Sequence, residues 1–446
     1  MKRIFTLLFL MAVGLTANAQ NQADTLWTLE ECIEYAVQNN IDLQITRLSI
    51  DESESSVKNV KFDYLPSLSI GGSYGSQWGR SIDPTTNEFT TNQLNTAGVS
   101  ANAQWIIYAG LRTMRSLQQS KVNLERTQYD FERSRNELSL RVANLFLNVI
   151  FNKELVESAE IVLESSSQQY ERTKRMVEVG SMAKSEELQL ASQVASNELQ
   201  LIQAKNDLQY SKLLLKQALR IESDVPFDIV VPELDAAQYS NVIVNKNSIY
   251  QAAIDSLPDL RSAELSLESS EYDLKISRGA LLPSLSLNAN YGTNFSSSFQ
   301  DQFPEYNFGR QFEEFRNYSV RASINIPIFN NWDSRFNIQR SKISRDRAEL
   351  TYKNEQLRIR QEIEQASNDV AAARLAYQAA EKATAAAEEA YRMARQQADA
   401  GAINVVDLTI AQSTYIQAQN DLTRNKYDYI FKLKVLDYYQ GKKIEL

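Results

Sequence analysis

The chain has 446 residues with 47 basic and 56 acidic side chains, a formal net charge of −9, 43% hydrophobic residues and a mean hydropathy of −0.40. That is too polar for a bundle of membrane helices and too rich in aliphatic and aromatic side chains for disorder. The acidic balance, with no run of Lys or Arg, argues against a nucleic-acid-binding protein, and the absence of His removes the commonest general base and metal ligand.

Residues 1–19 read as a secretory signal peptide. Lys2 and Arg3 form its charged start, Ile4 to Leu15 its apolar stretch, and Ala17-Asn18-Ala19 its small-residue cleavage pattern. The apolar stretch is shorter than the ~20 residues a spanning helix needs. Cys32, the single cysteine, excludes an intrachain disulfide. It lies too far past Ala19 to be a lipid-attachment cysteine at the cleavage site, and it reads as a small buried hydrophobe.

Only 13 glycines and 8 prolines punctuate the chain, roughly 5% where about 12% is usual. Long helices are therefore expected. No Gly or Pro occurs from Leu111 to Val179 or from Ile328 to Ala400, and each run closes on one glycine, Gly180 or Gly401. Such a glycine signals a helix end or helix–helix turn. The two runs belong to an internal duplication. Leu65-Pro66-Ser67-Leu68-Ser69-Ile70 recurs 217 residues later as Leu282-Pro283-Ser284-Leu285-Ser286-Leu287, and Ser120-Lys121-Val122 recurs 221 later as Ser341-Lys342-Ile343. Two structural repeats are expected, residues 20–236 and 237–446. Each comprises a helix, two strands and a long helical hairpin.

The hairpin runs carry a heptad seam. Leu138, Val142, Leu145, Val149, Asn152, Val156, Ala159, Leu163, Ser166, Tyr170, Thr173 and Val177 define it in the first copy. The same steps from Ile359 to Ala398 define it in the second. A period of 3.5 predicts left-handed supercoiled packing. Leu190, Val194, Leu201, Ala204, Leu208, Leu215 and Ala218 extend the theme after Gly180.

Four segments switch to a period of two, at about 66–76, 96–108, 283–293 and 317–329. Their apolar positions are Leu68-Ile70-Gly72-Tyr74, Val99-Ala101-Ala103-Trp105-Ile107, Leu285-Leu287-Ala289-Tyr291 and Val320-Ala322-Ile324-Ile326-Ile328. Runs of about ten residues suit tilted bilayer-spanning strands, although a soluble β-sandwich alternates in the same way. The connecting segments 76–95 and 293–316 are polar, like outer-surface loops. Four strands cannot close a barrel, since the smallest have about 8. An open sheet edge in lipid leaves backbone groups unsatisfied, so lipid-facing strands require oligomerisation. Tyr74, Trp105, Tyr108 and Tyr291 suit either an interfacial aromatic belt or ordinary strand packing.

From Trp27-Thr28-Leu29-Glu30-Glu31 to about Leu436 the sequence resembles the TolC-type outer-membrane efflux channels. The carrying features are the duplicated element order, the Leu-Pro-Ser-Leu-Ser strand entries and two turns. The turns are Val179-Gly180-Ser181-Met182-Ala183-Lys184-Ser185-Glu186 and Ala400-Gly401-Ala402-Ile403-Asn404-Val405-Val406-Asp407. The resemblance implies a mainly α fold with a membrane β-barrel portion: a homotrimer with a 12-stranded barrel in the outer membrane and a 12-helix periplasmic tunnel. It implies a passive exit duct of a tripartite efflux or type I secretion system, with no cofactor. The partners would be a periplasmic adaptor (membrane fusion) protein, an inner-membrane transporter of the RND or ABC type, and outer-membrane lipid. Carried over by position, adaptor docking falls on Val179, Gly180, Ser181, Met182 and Ala183 and on Ala400, Gly401, Ala402 and Ile403. Asp407 and Glu186 match acidic positions at the pore entrance. A second acidic position of some members is Ile410 here, and Ala398 and Ile403 stand where polar tip-locking partners are expected. The glycines also read as helix caps, and Asp407 as a carboxylate favoured at a helix N-terminus.

A periplasmic coiled-coil adaptor is the alternative. It predicts a lipoyl-like or hairpin β-module and one helical hairpin in place of two related ones. An enzyme is disfavoured, because there is no His, no Gly-x-Ser-x-Gly elbow and no paired Cys.

Overall fold

The structure, a computed structural model, describes residues 26–83, 85–91, 93–222, 224–232, 245–400 and 402–442. The leader at 1–19 and Gly401 lie outside the described residues. A short strand β1 (Leu26–Trp27) leads into helices α1 (Leu29–Asn39) and α2 (Ile41–Phe62). Thr28 and Glu31 form a reciprocal capping box that starts α1. Strands β2 (Ser67–Gln77) and β5 (Leu94–Ala109) flank a small hairpin, β3 (Ser81–Ile82) and β4 (Phe89–Thr90). Helices α3 (Arg112–Glu178) and α4 (Lys184–Leu219) and strand β6 (Asp228–Ile229) complete this half. The second half runs α5 (Lys246–Ser256), α6 (Pro258–Gly279), β7 (Ser284–Ser296), α7 (Ser297–Gln302), α8 (Phe308–Glu314), β8 (Asn317–Asn325), α9 (Asp333–Asp399) and α10 (Val405–Tyr439).

Element lengths recur with the sequence offsets. Helices α1 and α5 both have 11 residues and start 217 apart, and α2 and α6 both have 22 at the same offset. Helices α3 and α9 both have 67 residues and start 221 apart. The drift of four therefore arises in the strand-and-loop region, where the second loop holds two short helices in place of a hairpin. Strand β8 stops at Asn325, short of the expected 329, because Pro327 has no N–H to give to a ladder.

Each long helix follows two consecutive residues in left-handed backbone: Gly110 and Leu111 (φ 63° each) before α3, Asn331 and Trp332 (51° and 64°) before α9. Bulky Leu111 and Trp332 are strained there, and the Arg335 guanidinium lies 4.4 Å from the Trp332 ring centroid. At the first elbow, the buried backbones of Gly110 and Gly279 cross. A Cβ on Gly110 would sit 2.2 Å from the Gly279 carbonyl oxygen, and one on Gly279 would sit 2.5 Å from that of Gly110.

The chain packs as two compact units. One comprises the described residues of Met1–Ile45, Glu132–Leu257 and Arg358–Leu446; the other comprises Thr46–Phe131 and Pro258–Leu357. In the first, the heptad seam is buried as the 3.5 period predicts, through Leu138, Val142, Val149, Ser166 and Thr173 of α3 and Ile359, Ile363, Val370, Ala373 and Thr384 of α9. Ala143, Phe146, Leu147 and Ile150 are buried as well, off the seam, so this stretch of α3 is enclosed on a second side. Just beyond it, Glu154 accepts the Tyr427 hydroxyl at 2.5 Å and Lys153 lies 3.5 Å from Asp228. Burial and the Glu154 carboxylate push the Tyr427 phenol far up. Partial desolvation works to raise the Asp228 carboxyl, but the Ile229 N–H and the Lys212 ammonium, 3.0 Å away, outweigh it and hold it below the usual range. Parallel pairing of β1 with β6 closes this region. Cys32 is fully buried, as expected, and burial beside Glu31 and Glu30 pushes its thiol up to about 12.

In the second unit, a four-stranded antiparallel sheet has the order β2-β5-β7-β8, with β2 and β8 at its edges. Side-chain bonds tie the helices of this unit together: Gln119 to the Ser269 carbonyl at 3.0 Å, Ser277 with Ser341 at 2.8 Å, and Arg261 with Glu125 at 2.9 Å. Gly110→Ala and Gly279→Ala should each destabilise the fold by about 2 kcal/mol or more, because each adds a Cβ inside a backbone contact. Gly71→Ala, with nothing within 4 Å of its Cβ, should stay within about 0.5 kcal/mol of the parent. Thermal unfolding of the three variants in detergent checks this.

Candidate functional site

The sheet has two chemically opposite faces. Cross-strand register aligns Leu68, Ala103, Ala289 and Val320 in one row and Ile70, Ala101, Tyr291 and Tyr318 in the next. One residue along each strand, the other face aligns Ser69, Asn102, Asn290 and Ser319, then Ser67, Gln104, Asn288 and Arg321. The Asn290 amide donates to the Asn102 side-chain oxygen across this polar face. In a sandwich the apolar face would be covered. Here Ile70 is 74% exposed, Val320 74% and Tyr318 82%. A bulge between Ile106 and Tyr108 shifts the register, so Tyr108, not Ile107, continues the apolar row opposite Leu285. The Trp105 indole N–H donates to the Tyr64 carbonyl at 2.8 Å, which satisfies the polar handle of an otherwise apolar side chain.

The two helix turns are built alike. Helix α3 ends in a Schellman motif, with Gly180 at φ 77°, its N–H on the Val177 carbonyl at 2.9 Å and the Ser181 N–H on that of Met176 at 2.8 Å. At the second turn the Ala402 N–H bonds the Gln397 carbonyl at 2.8 Å, the matching outer bond. Of the candidate docking residues, Val179 (78%), Gly180, Ser181, Ala183, Ala400 and Ala402 are exposed, while Met182 and Ile403 are half-buried.

The following helices differ at their caps. Asn404 accepts the Asp407 N–H at 2.9 Å, whereas Ala183, with extended backbone, offers α4 no side-chain cap. Glu186 and Asp407 occupy the third position of their helices, where a carboxylate faces the positive end of the macrodipole. Asp407 is exposed and Glu186 half-buried. The acidic residue buried at the first turn is Glu187, which sequence reasoning missed; it pairs with Lys184 at 2.6 Å. Its signal was its place three residues before Leu190 on the same seam.

Tyrosines zip the second hairpin: Tyr391 stacks on Tyr415 at 5.8 Å and Tyr377 on Tyr429 at 6.3 Å. Alongside them, Ala376, Ala379, Ala380 and Ala383 line an open groove of about 780 Å³ with Ser413, Thr414 and Gln417, and the Thr384 hydroxyl bonds the Ala418 carbonyl at 2.9 Å. Among the described residues no cluster of acidic or thiol side chains suits a metal ion, and no helix is long and apolar enough to cross a membrane.

A sequence profile of the outer membrane efflux proteins matches residues 32–219 and 249–439, so it covers the hairpins, the sheet and both turns. The chain belongs to the outer membrane efflux protein family. As a member it is an outer-membrane protein extending into the periplasm, and not an enzyme. Among its relatives, the probable efflux pump outer membrane protein TtgC of Pseudomonas putida is 25% identical over 326 residues, 71% of this chain and 63% of that protein, so the match spans less than two thirds of the relative. The cation efflux system protein CusC of Escherichia coli O157:H7 is 24% identical over 390 residues, 81% of this chain and 74% of that protein. The crystal structure of the Campylobacter jejuni CmeC outer membrane channel superposes with a TM-score of 0.78 at 20% identity, covering 94% of this chain and 86% of that one.

The capping difference has a measurable consequence for this family member. Asn404→Ala should cost about 1 kcal/mol of local stability at the second turn, and Ala183→Ser should add a similar amount at the first. Amide hydrogen exchange in the first turns of α10 and α4 reads both changes, in opposite directions.

Proposed function

We propose that this outer membrane efflux protein is a homotrimer in which three four-stranded sheets close a twelve-stranded barrel and the long helices wall a twelve-helix periplasmic tunnel. The observation that carries this reading is the sheet: an uncovered apolar face, a polar face behind it and two edges unpaired with other described strands. In hydrocarbon, unsatisfied edge groups cost several kcal/mol each, so edge must meet edge. Three copies of four strands fall within the known barrel sizes, whereas one copy does not. Helix α9 supports assembly with an exposed apolar stripe at every seventh residue, Phe336, Ile343, Leu350 and Leu357, which suits the seam of a neighbouring helix.

The trimer is a passive exit duct of a tripartite efflux or type I secretion system. A periplasmic adaptor docks on Val179–Ala183 and Ala400–Ile403, and an inner-membrane transporter supplies the energy. TtgC and CusC carry efflux in their names, and the exposed glycine-centred turns suit adaptor docking. Three copies of Asp407, backed by Glu186, form an acidic pore entrance that favours cations over anions. No substrate pocket is required, since a water-filled duct selects by width and charge.

Two experiments test this. The mature chain should fractionate with outer membranes and run as a trimer in mild detergent, and Leu350→Asp should shift it toward monomer; a soluble periplasmic monomer overturns the reading. In planar bilayers Asp407→Ala should raise single-channel conductance or weaken block by multivalent cations. If both are unchanged, the acidic entrance is wrong.

A further inference from the structure

Helix α8 stands on the apolar face of the sheet. Register pairs Phe295 with Ala97, itself opposite Tyr74, and Thr293 with Val99, itself opposite Gly72, so Thr293 and Phe295 belong to the apolar rows. On these two residues α8 is seated: the Thr293 hydroxyl donates to the Phe312 carbonyl at 2.8 Å, and the Phe295 and Phe308 rings lie 5.1 Å apart. Phe308 stacks on Phe312 at 4.4 Å yet stays 50% exposed. At 100° per residue, Phe308 and Phe312 share one arc and the exposed Arg310, Glu313 and Glu314 the opposite one.

The polar requirements of α8 are met internally. Buried Gln311 accepts the Ser296 N–H at 2.8 Å and donates to the Ser296 and Tyr306 carbonyls at 3.0 and 2.8 Å. The Ser296 hydroxyl in turn donates to the buried Asp83 carboxylate at 2.6 Å. The turn after β3 lies on the other side of the sheet: Thr85 accepts the amide of Asn294, a polar-face residue paired with Gly98. The two loops thus part to opposite faces.

We propose that α8 is an interfacial helix, with Phe308 set into the loop-side membrane leaflet at the boundary of acyl chains and headgroups. Its partner is the lipid surface. The inference rests on the barrel reading above, and it takes the Phe308 arc of segment 293–316 out of the surrounding water, where the segment's composition had placed it, while Arg310, Glu313 and Glu314 stay in water. Continuity argues for lipid: α8 prolongs the exposed Tyr74, Tyr291 and Tyr318 band on the same face, and aromatic side chains favour that depth.

The test uses the full chain in a Cys32→Ala background, reconstituted in phospholipid vesicles, with nitroxide labels on Phe308→Cys, Phe303→Cys, Val320→Cys and Glu88→Cys. Power saturation compares oxygen, which concentrates in lipid, with a water-soluble nickel chelate. Labels at 308 and 320 should favour oxygen several-fold, and the label at 88 should favour nickel. If 308 fails to assemble, the exposed neighbour 303 reports on the same segment. A water-like 308 beside a lipid-like 320 overturns this inference alone. A 308 label shielded from both reagents overturns it in favour of a protein contact, and a water-like 320 overturns the barrel reading itself.

Discussion

Leu68, Ile70, Tyr318 and Val320 share one face of a sheet whose edge strands have no described partner on their outer sides, and backbone chemistry makes that arrangement untenable in hydrocarbon as a finished structure. Water disfavours the face, and hydrocarbon disfavours the edges more strongly, since each unsatisfied N–H or C=O there costs several kcal/mol. Lipid relieves the first, and closure by other copies relieves the second. The chain contributes four strands because each half supplies two, and the α9 stripe of Phe336, Ile343, Leu350 and Leu357 offers a seam to a neighbour at helix level. The proposed trimer thus answers a requirement set within one protomer.

The junctions between sheet and long helices meet a second constraint. The chain turns from β5 into α3 within two residues and from β8 into α9 within seven, and both turns end on paired left-handed backbone. At the first elbow glycine serves both the φ and the close approach of Gly279; at the second, Asn331 tolerates the φ. Leu111 and Trp332 hold the same conformation without that tolerance, so the surrounding packing must impose it. Equal helix lengths of 67 residues keep the two halves in register from these elbows to the turns.

Much of this was legible in the residues. The sparse glycines and prolines announced the hairpins, the 3.5 period picked out seam positions that are buried or half-buried in both long helices, and alternation located the four strands. The misses have physical causes. The bulge at Ile107 breaks no hydrophobic pattern, since Ile106, Ile107 and Tyr108 are all apolar, so only hydrogen-bond register reveals it. Helices α7 and α8 are too short to show a period, and their stability comes from the Phe299, Phe303, Tyr306 and Phe315 ring cluster and the Gln311 bonds. Glu187 is charged, and charge marks a surface residue unless its Lys184 partner is known.

The sequence by itself determined the hairpins and the strands, because periodicity and breakers are local properties of neighbours along the chain. Tertiary structure alone decided which residues share a sheet face, where Gly110 meets Gly279, and that α8 lies on the apolar side while the Thr85 turn lies on the polar side. Those facts depend on pairings between residues as far apart as Asp83 and Ser296, which no local pattern records. They arise where buried hydrogen bonds must be satisfied by whichever partner the fold brings near.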